Sequence, residues 1–531
     1  MFMSKKRKYP IIVNILKNIK LKDNKIIIKG ICLVKGVRIE NFNLNEISAN
    51  IQRKKYPIIF KMKKGIPFIK KYNINIYKIA IPTSDIINFD IQNRITIEYK
   101  KYKGRIIYNA FDIKKGKNRN SKIIFYDNYS MYLRQTNKNT MYLTIREKNI
   151  IDTKIYQFKI FLAYIVSKVF HKKIILMYEK NASRYEESAS VLYEKLIDEH
   201  YTNVYYIINK NNEKLNDLSY KYRENIIYKN SFKHYLYFFI CETFIGTETI
   251  WHAIQLRAAN KFVFTKVRNN DLTYIFLQHG VMYMISLDSE TRSGFRDNDY
   301  KLYRVVVSSE LEKKHFIELG GLKEEEIYVT GLAKFDKSIK NNDADKIVIM
   351  PTWRRWETNQ AQNNFEKTKY YKMIKKIVES IPSEYNDKIV VLPHPLMIEM
   401  MKKSNSELNR YLMEDKTYDD ILKECKLLIT DYSSISYDAF FRGSNVIFYW
   451  EEKDKCLKKY GTNTKLMLTE KLAFGNVCYN KKELKNSIMR EYNNKQSTKY
   501  KNRYKKIVEF NDKNNSERII DNLKKEKIIG D

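Results

Sequence analysis

From residue 172 onward the chain repeats one pattern, a short run of β-branched and aromatic residues followed by a longer amphipathic stretch. The runs are KKIILMYE (172–179), NVYYIIN (203–209), ENIIY (224–228), TFIGTE (243–248), YIFLQHG (274–280), YRVVVSS (303–309) and EIYVTG (326–331), with the helical SASVLYEKLIDEHY (188–201) after the first. Strands that alternate with helices predict a parallel, doubly wound sheet. The pattern then restarts with KIVIMPTWR (346–354), KIVVLPHP (388–395), KLLITDYSS (426–434) and NVIFYW (445–450). The fold class is therefore α/β, with two Rossmann-like lobes, 172–335 and 336–531, and a cleft between them.

Residues 1–150 read differently. KIIIK (25–29), YPIIFK (56–61), RITIEY (94–99) and RIIY (105–108) are short alternating runs broken by Gly and Asn, which predicts an antiparallel β module. Between module and lobes, IDTKIYQFKIFLAYIVSKVF (151–170) has apolar residues at helical spacing with Lys154, Lys159 and Lys168 among them. It reads as a helical connector over 151–171, either packed on a domain or lying in a membrane interface. Beyond the second lobe's strands, the segment from about 491 to 528 is a Lys/Asn-rich tail.

Charge is concentrated at the front. Residues 1–150 hold 34 Lys and Arg against 9 Asp and Glu, so +25 of the formal net charge of +38 lies there. Such a field attracts polyanions, whether nucleic acid, anionic lipid or an anionic polymer. A hydrophobic content of 44% excludes a disordered chain. The five cysteines, Cys32, Cys241, Cys425, Cys456 and Cys478, contain no CxxC pair and suggest neither a disulfide framework nor a zinc site, which fits a reducing cytosol. MFMSKKRKYPIIV lacks the apolar core of a secretory signal, and no apolar run approaches the roughly 20 residues of a membrane span.

Ligands of parallel α/β sheets bind where the strands end at their carboxyl side, so the polar residues there are the candidates. In KLLITDYSSISYDAFF (426–441) a strand ends at Thr430, a turn holds Asp431, Tyr432, Ser433 and Ser434, and a helix begins near Ile435. Backbone N–H groups beside the two serines suit a diphosphate, and Asp438 suits a ribose or polyol hydroxyl. The alternative is that the serines cap the helix and Asp438 complements its dipole. His394 sits at a strand end between Pro393 and Pro395, suited to pairing with phosphate or exchanging a proton. His279 ends a first-lobe strand, and Gly280 after it permits a sharp turn and close approach of a ligand. Pro351 and Thr352 end another strand, where Arg354 could clamp phosphate oxygens or lie solvated on the surface.

Taken in this order, His279-Gly280, Thr330-Gly331 with Lys334, Pro351-Thr352-Trp353-Arg354, His394, and Thr430 to Ser434 with Asp438 resemble the motifs of the CDP-glycerol glycerophosphotransferase family, the teichoic acid polymerases. The resemblance covers roughly residues 172–525. Gln278 stands where the family usually has Trp, Val281 to Met284 replace Thr-Pro-Leu-Lys, and Lys334 replaces a common Arg. The resemblance implies a GT-B-like fold in which the second lobe holds most of the CDP donor. The residues it brings to the donor are Gly280, Lys334, Pro351, Thr352, Arg354, Pro393, Asp431, Ser433, Ser434 and Asp438, with His279 as catalytic base and His394 as a second catalytic residue in the donor site.

It also implies a CDP-glycerol or CDP-ribitol donor, a lipid-linked teichoic acid acceptor, and work at the inner face of the cell membrane, where a basic module meets an anionic surface. An acceptor hydroxyl would attack the β-phosphorus and CMP would leave. No DxD motif or His/carboxylate cluster marks a metal site, so no obligatory cofactor is expected. A nucleotide-sugar glycosyltransferase of the same two-lobed type is the first rival, since fold does not fix the leaving group. A nucleic-acid-binding protein is the second, prompted by the charge and the 42 tyrosines, but no nucleic-acid module is recognisable and no nucleic-acid partner is expected.

Overall fold

The structure is a computed structural model that describes residues 11–530 apart from 36–46, 53, 63–72, 90–91, 100–101, 109–118, 136–139, 171–172, 255–259, 269–271, 289–301, 405, 414–415 and 462. The basic residues at positions 5–8 lie outside this set. The chain forms two compact units, Met1–Ile165 with Gln255–Arg268, and Val166–Ile254 with Asn269–Asp531.

The first unit is built on an 11-stranded sheet. It starts with a hairpin of Ile11–Lys22 and Lys25–Lys35, in which Lys22 faces Lys25. Asp23 and Asn24 at its tip both have left-handed backbone (φ 49° and 51°), as a two-residue turn with the strands' own twist requires. Alternation decides the faces: Ile26 and Ile28 are buried, while Lys25 and Lys29 are exposed or half-exposed. The strand Ile47–Ile51 pairs with both Lys54–Met62 and Gln92–Tyr99, which closes seven strands into a ring. Neighbours around a ring with an odd number of strands cannot all run antiparallel. One pair must be parallel, and it is Ile11–Lys22 beside Tyr102–Tyr108. The purely antiparallel expectation is corrected on this point.

The helix of the connector spans Lys154–Ser167 in this structure. Tyr156, Ile160 and Ala163 form its buried stripe, whereas Ile155 (84% exposed), Phe158 (63%), Leu162 and Ile165 leave apolar surface open. Among the described residues no helix is long and apolar enough to cross a membrane.

The second unit holds two parallel sheets. The first has seven strands, Ile175–Tyr178, Val204–Ile208, Ile226–Tyr228, Thr243–Gly246, Thr273–Phe276, Leu302–Val307 and Ile327–Val329, arranged 3-2-1-4-5-6-7 in chain order. Every residue of Ile175–Tyr178 and Val204–Ile208 is buried, as expected for strands covered by helices on both faces. The second has five strands, Lys346–Ile349, Ile389–Val391, Cys425–Thr430, Asn445–Tyr449 and Asn476–Cys478, arranged 2-1-3-4-5. Both are doubly wound orders, and each reverses direction beside its first strand.

The tail is not part of the second lobe alone. Its last helix, Asn515–Lys525, buries Ile519, Ile520 and Leu523 and packs back on the first lobe. Asp336 accepts hydrogen bonds from the N–H groups of Asn515 (2.9 Å) and Ser516 (2.7 Å), and Arg304 pairs with Glu526 at 2.6 Å. Gly331 (φ +80°) is required here, because a Cβ at that position would strike the Asn515 carboxamide. A lobe boundary that assigns 336–531 wholly to the second lobe is therefore too simple.

Candidate functional site

At the reversal point of the second sheet, the strands Lys346–Ile349 and Cys425–Thr430 lie side by side and end together. Their ends are locked by a buried polar cluster. Asp431 accepts from the Thr352 N–H (2.8 Å) and hydroxyl (2.7 Å) and pairs with Arg354 at 2.7 Å. Arg354 also donates to the Thr352 carbonyl (3.0 Å), and the Trp450 indole N–H donates to the Asp431 carbonyl (2.9 Å). With Arg354 2% and Asp431 1% exposed, neither reaches a ligand. The reading of Arg354 as a phosphate clamp and of Asp431 as a donor contact is corrected accordingly, while the half-buried Thr352 spends its N–H and hydroxyl on Asp431. Arg354 is neutralised within the fold, and the cluster shapes the turn that carries the serines. Pro351 and Pro393 play a similar backbone part, their carbonyls accepting from Tyr370 (3.4 Å) and Tyr418 (2.8 Å).

Beyond Asp431 the turn presents Ser433 and Ser434 half-buried on the wall of a cavity of about 830 Å³. Ser434 precedes the helix Ile435–Phe441, yet its side chain makes no capping bond, so the reading of the serines as caps does not hold for it. That helix has only seven residues, so its dipole is a minor contributor and the hydroxyls are the usable groups. Asp438 pairs with Lys334 on the same wall, and both side chains are about nine-tenths buried. Lys334 also donates to the His279 carbonyl at 3.1 Å. His394 lines the cavity with its ring stacked on Trp353, centroids 4.9 Å apart. Burial, then the charges of Lys180 and Arg355, hold its pKa below the ordinary histidine value.

The first lobe contributes His279, which follows the strand Thr273–Phe276 and is open to the cavity. The left-handed residue that turns the chain is Gln278 (φ 59°), whose buried amide donates to the Val306 carbonyl at 2.6 Å. Gly280 serves close approach instead: a Cβ there would lie 3.3 Å from the Ser434 hydroxyl. His279 Nδ1 sits 3.3 Å from the Thr247 carbonyl, which can only accept, so Nδ1 carries the proton and Nε2 keeps its lone pair. Desolvation by surrounding protein, with Lys180 and Lys334 adding to it against Glu248, keeps the ring's pKa below the usual histidine range.

The cavity thus brings together His279, Lys334, His394, Ser433, Ser434 and Asp438, whereas Gly280, Pro351, Thr352, Arg354, Pro393 and Asp431 are not among the residues that line it. It also includes first-lobe residues that motif reading missed. Lys180 and Glu187 form an ion pair at 3.2 Å, Glu248 accepts from the Asn181 N–H (3.0 Å) and meets His252 Nδ1 at 2.8 Å, and all but His252 line the cavity. Burial opposes ionisation of Glu248, but His252 and Lys180 outweigh it and hold its carboxyl below the usual range. The signal for these residues was strand order, since Glu179-Lys180 and Thr247-Glu248 follow the two strands between which the first sheet reverses. A second hollow, of about 480 Å³, is lined by Asp387, Ile389 and Arg410 at the amino end of Ile389–Val391, away from the strand ends that bear the histidines. Among the described residues no three His, Cys, Asp or Glu side chains group as metal ligands.

Three comparisons bear on this arrangement. The chain is 25% identical over 379 residues to GgaB of Bacillus subtilis (strain 168), a minor teichoic acid biosynthesis protein, a stretch that is 67% of this chain and 40% of GgaB, so the chain spans well under half of that relative. Among solved structures, the wall teichoic acid polymerase TagF is 17% identical with a TM-score of 0.49, covering 70% of this chain and 98% of that one. The calicheamicin glycosyltransferase CalG4 is 9% identical with a TM-score of 0.36, over 67% and 98% of the two chains. At those scores the structural likenesses do not bear on function. A family model described as CDP-Glycerol:Poly(glycerophosphate) glycerophosphotransferase matches residues 160–525, more than half of the chain, and the chain belongs to that family.

Proposed function

We propose that the protein transfers glycerol phosphate from CDP-glycerol to a membrane-held, teichoic-acid-type acceptor and releases CMP, using a GT-B-like pair of lobes. The observation that carries this is the cavity in which an imidazole from each lobe meets the Ser433–Ser434 turn, inside the segment that matches the family. The Ser433 and Ser434 hydroxyls and His394 hold the diphosphate. His279 Nε2 takes the proton of the acceptor hydroxyl as its oxygen bonds to the β-phosphorus, and the bond to the α-phosphate breaks with CMP carrying the electron pair away. Lys334 pairs with Asp438 and orients it toward a ribose or polyol hydroxyl. CDP-ribitol is the alternative donor of the same chemistry. The apolar face of Lys154–Ser167, flanked by Lys154, Lys159 and Lys168, suits an anionic bilayer surface where such an acceptor is presented.

The test is CMP release measured over CDP-glycerol, CDP-ribitol and UDP-sugars with a lipid-linked polyol-phosphate acceptor. Release of CMP from a CDP-polyol is expected. Release of UDP with no CMP would replace the reading with a nucleotide-sugar glycosyltransferase.

A further inference from the structure

Lys180 is the first residue past Glu179 at the end of Ile175–Tyr178, the strand beside which the first sheet reverses. Side chains at that point of a doubly wound sheet face the ligand crevice. The local backbone is unusual: Lys180, Asn181 and Ala182 are consecutively left-handed, at φ 39°, 58° and 58°. Non-glycine residues persist there only when their surroundings over-determine them. Here they do. On one side the buried Glu179 carboxylate accepts from the N–H groups of Glu187 (2.9 Å) and Ser190 (3.1 Å); on the other, Glu248 accepts from the Asn181 N–H at 3.0 Å. The loop is pinned so that the Lys180 side chain stands on the cavity wall, where Glu187 holds its ammonium at 3.2 Å.

We infer that Lys180 is a further catalytic residue, a first-lobe cation that contacts the non-bridging oxygens of the transferred β-phosphate between His279 and His394. This rests on the CDP-polyol transferase reading above. The same ammonium depresses the pKa of both imidazoles, one on each lobe, so its field spans the space where the phosphoryl group must sit. Glu187 outweighs burial and keeps Lys180 protonated. The second lobe offers the diphosphate two hydroxyls and a neutral imidazole, because its cavity-lining Arg442 and Lys423 are both paired with Asp419 and its Arg354 is sealed against Asp431, while the first-lobe Lys334 is paired with Asp438. As the acceptor oxygen bonds to phosphorus and the bond to the leaving CMP lengthens, the negative charge on the equatorial oxygens needs a positive group, and Lys180 supplies it.

The experiment compares K180M and K180R with wild type in CMP release from CDP-glycerol, and in calorimetric affinity for CDP and CMP. Only CDP carries the β-phosphate. K180M is expected to lower turnover by about 100-fold, to weaken CDP by about ten-fold, and to leave CMP within about two-fold, with K180R recovering most of the CDP affinity. Turnover of K180M within about three-fold of wild type overturns the inference. So does an equal loss of CDP and CMP affinity, which would mean that the loop merely supports the nucleotide site. Thermal unfolding checks the fold of each variant, and K180Q takes the place of K180M should the latter fail to fold. If wild type releases no CMP from any CDP-polyol, the transferase reading fails, while the CDP-to-CMP affinity ratio still decides on Lys180.

Discussion

Replacing Asp431 with alanine should be among the most destabilising single changes in the second lobe, for a reason that can be worked from contacts. The carboxylate pairs with Arg354 at 2.7 Å and accepts both the N–H and the hydroxyl of Thr352. Arg354 is 2% exposed, and its other contacts include the Thr352 carbonyl, the Met373 sulfur and the Tyr432 ring, none of which carries charge. Removing one member of such a pair leaves an uncompensated buried charge, at a cost of about 3–5 kcal/mol. The double variant R354M/D431N removes both charges, so its cost should fall below the sum of the single variants by at least about 2 kcal/mol. Tryptophan fluorescence in urea is the assay. Of the four tryptophans, Trp353, Trp356 and Trp450 lie in the second lobe, and the Trp450 indole donates to the Asp431 carbonyl. Only the transition seen by that signal is compared, because a chain of two units need not unfold in one step. A D431A cost below about 1.5 kcal/mol, or strict additivity in the double variant, would refute the claim that the pair is sealed from solvent and mutually dependent.

His279→Gln keeps the Nδ1-side contact feasible but removes the base, and CMP release should fall by about 10²–10⁴-fold with unchanged thermal unfolding. Because the folded pKa of His279 is lowered, the wild-type acid limb of kcat/KM should lie below pH 6.5, with activity lost as pH falls through the lowered value and the base becomes protonated; a limb above 6.5 would contradict the assignment. His234 is wholly buried and its pKa is lowered from 6.5 to about 3 by burial and then by Lys229. A depressed folded pKa means that its contribution is complete above pH 6.5 and is lost as pH falls, about 2 kcal/mol between pH 6.5 and 5. In urea titrations at the two pH values, H234F should flatten that slope. Gly331→Ala puts a Cβ at φ +80° against Asn515 and should cost more than about 1 kcal/mol, read as faster amide exchange across Asn515–Lys525.

Strand positions in the two lobes were legible because strands buried on both faces are written as uninterrupted β-branched and aromatic runs, as in VYYII at Val204–Ile208. The same reading placed His279, His394, Ser433 and Ser434 at strand ends, and they meet in one cavity. Arg354 was misread because position at a strand end does not say which way a side chain turns. Its direction is set by Asp431, which follows a different strand and becomes a neighbour only when the sheet forms. Lys180 and Glu248 were missed for a related reason. Their place at the reversal point depends on Ile175–Tyr178 pairing with Thr243–Gly246, a long-range fact that periodicity does not contain. The parallel pair in the N-terminal module arises in the same way, from closing a ring of seven strands that each read as ordinary alternating runs. In the tail, composition itself misled. Lys and Asn dominate the average there, but Ile519, Ile520 and Leu523 fall on one helical face and are fully buried. Burial is decided face by face, so a tail polar on average still carries a stripe that docks it on the first lobe, and a truncation removing Asn515–Lys525 should unsettle the lobe that holds His279 rather than the one from which the tail emerges.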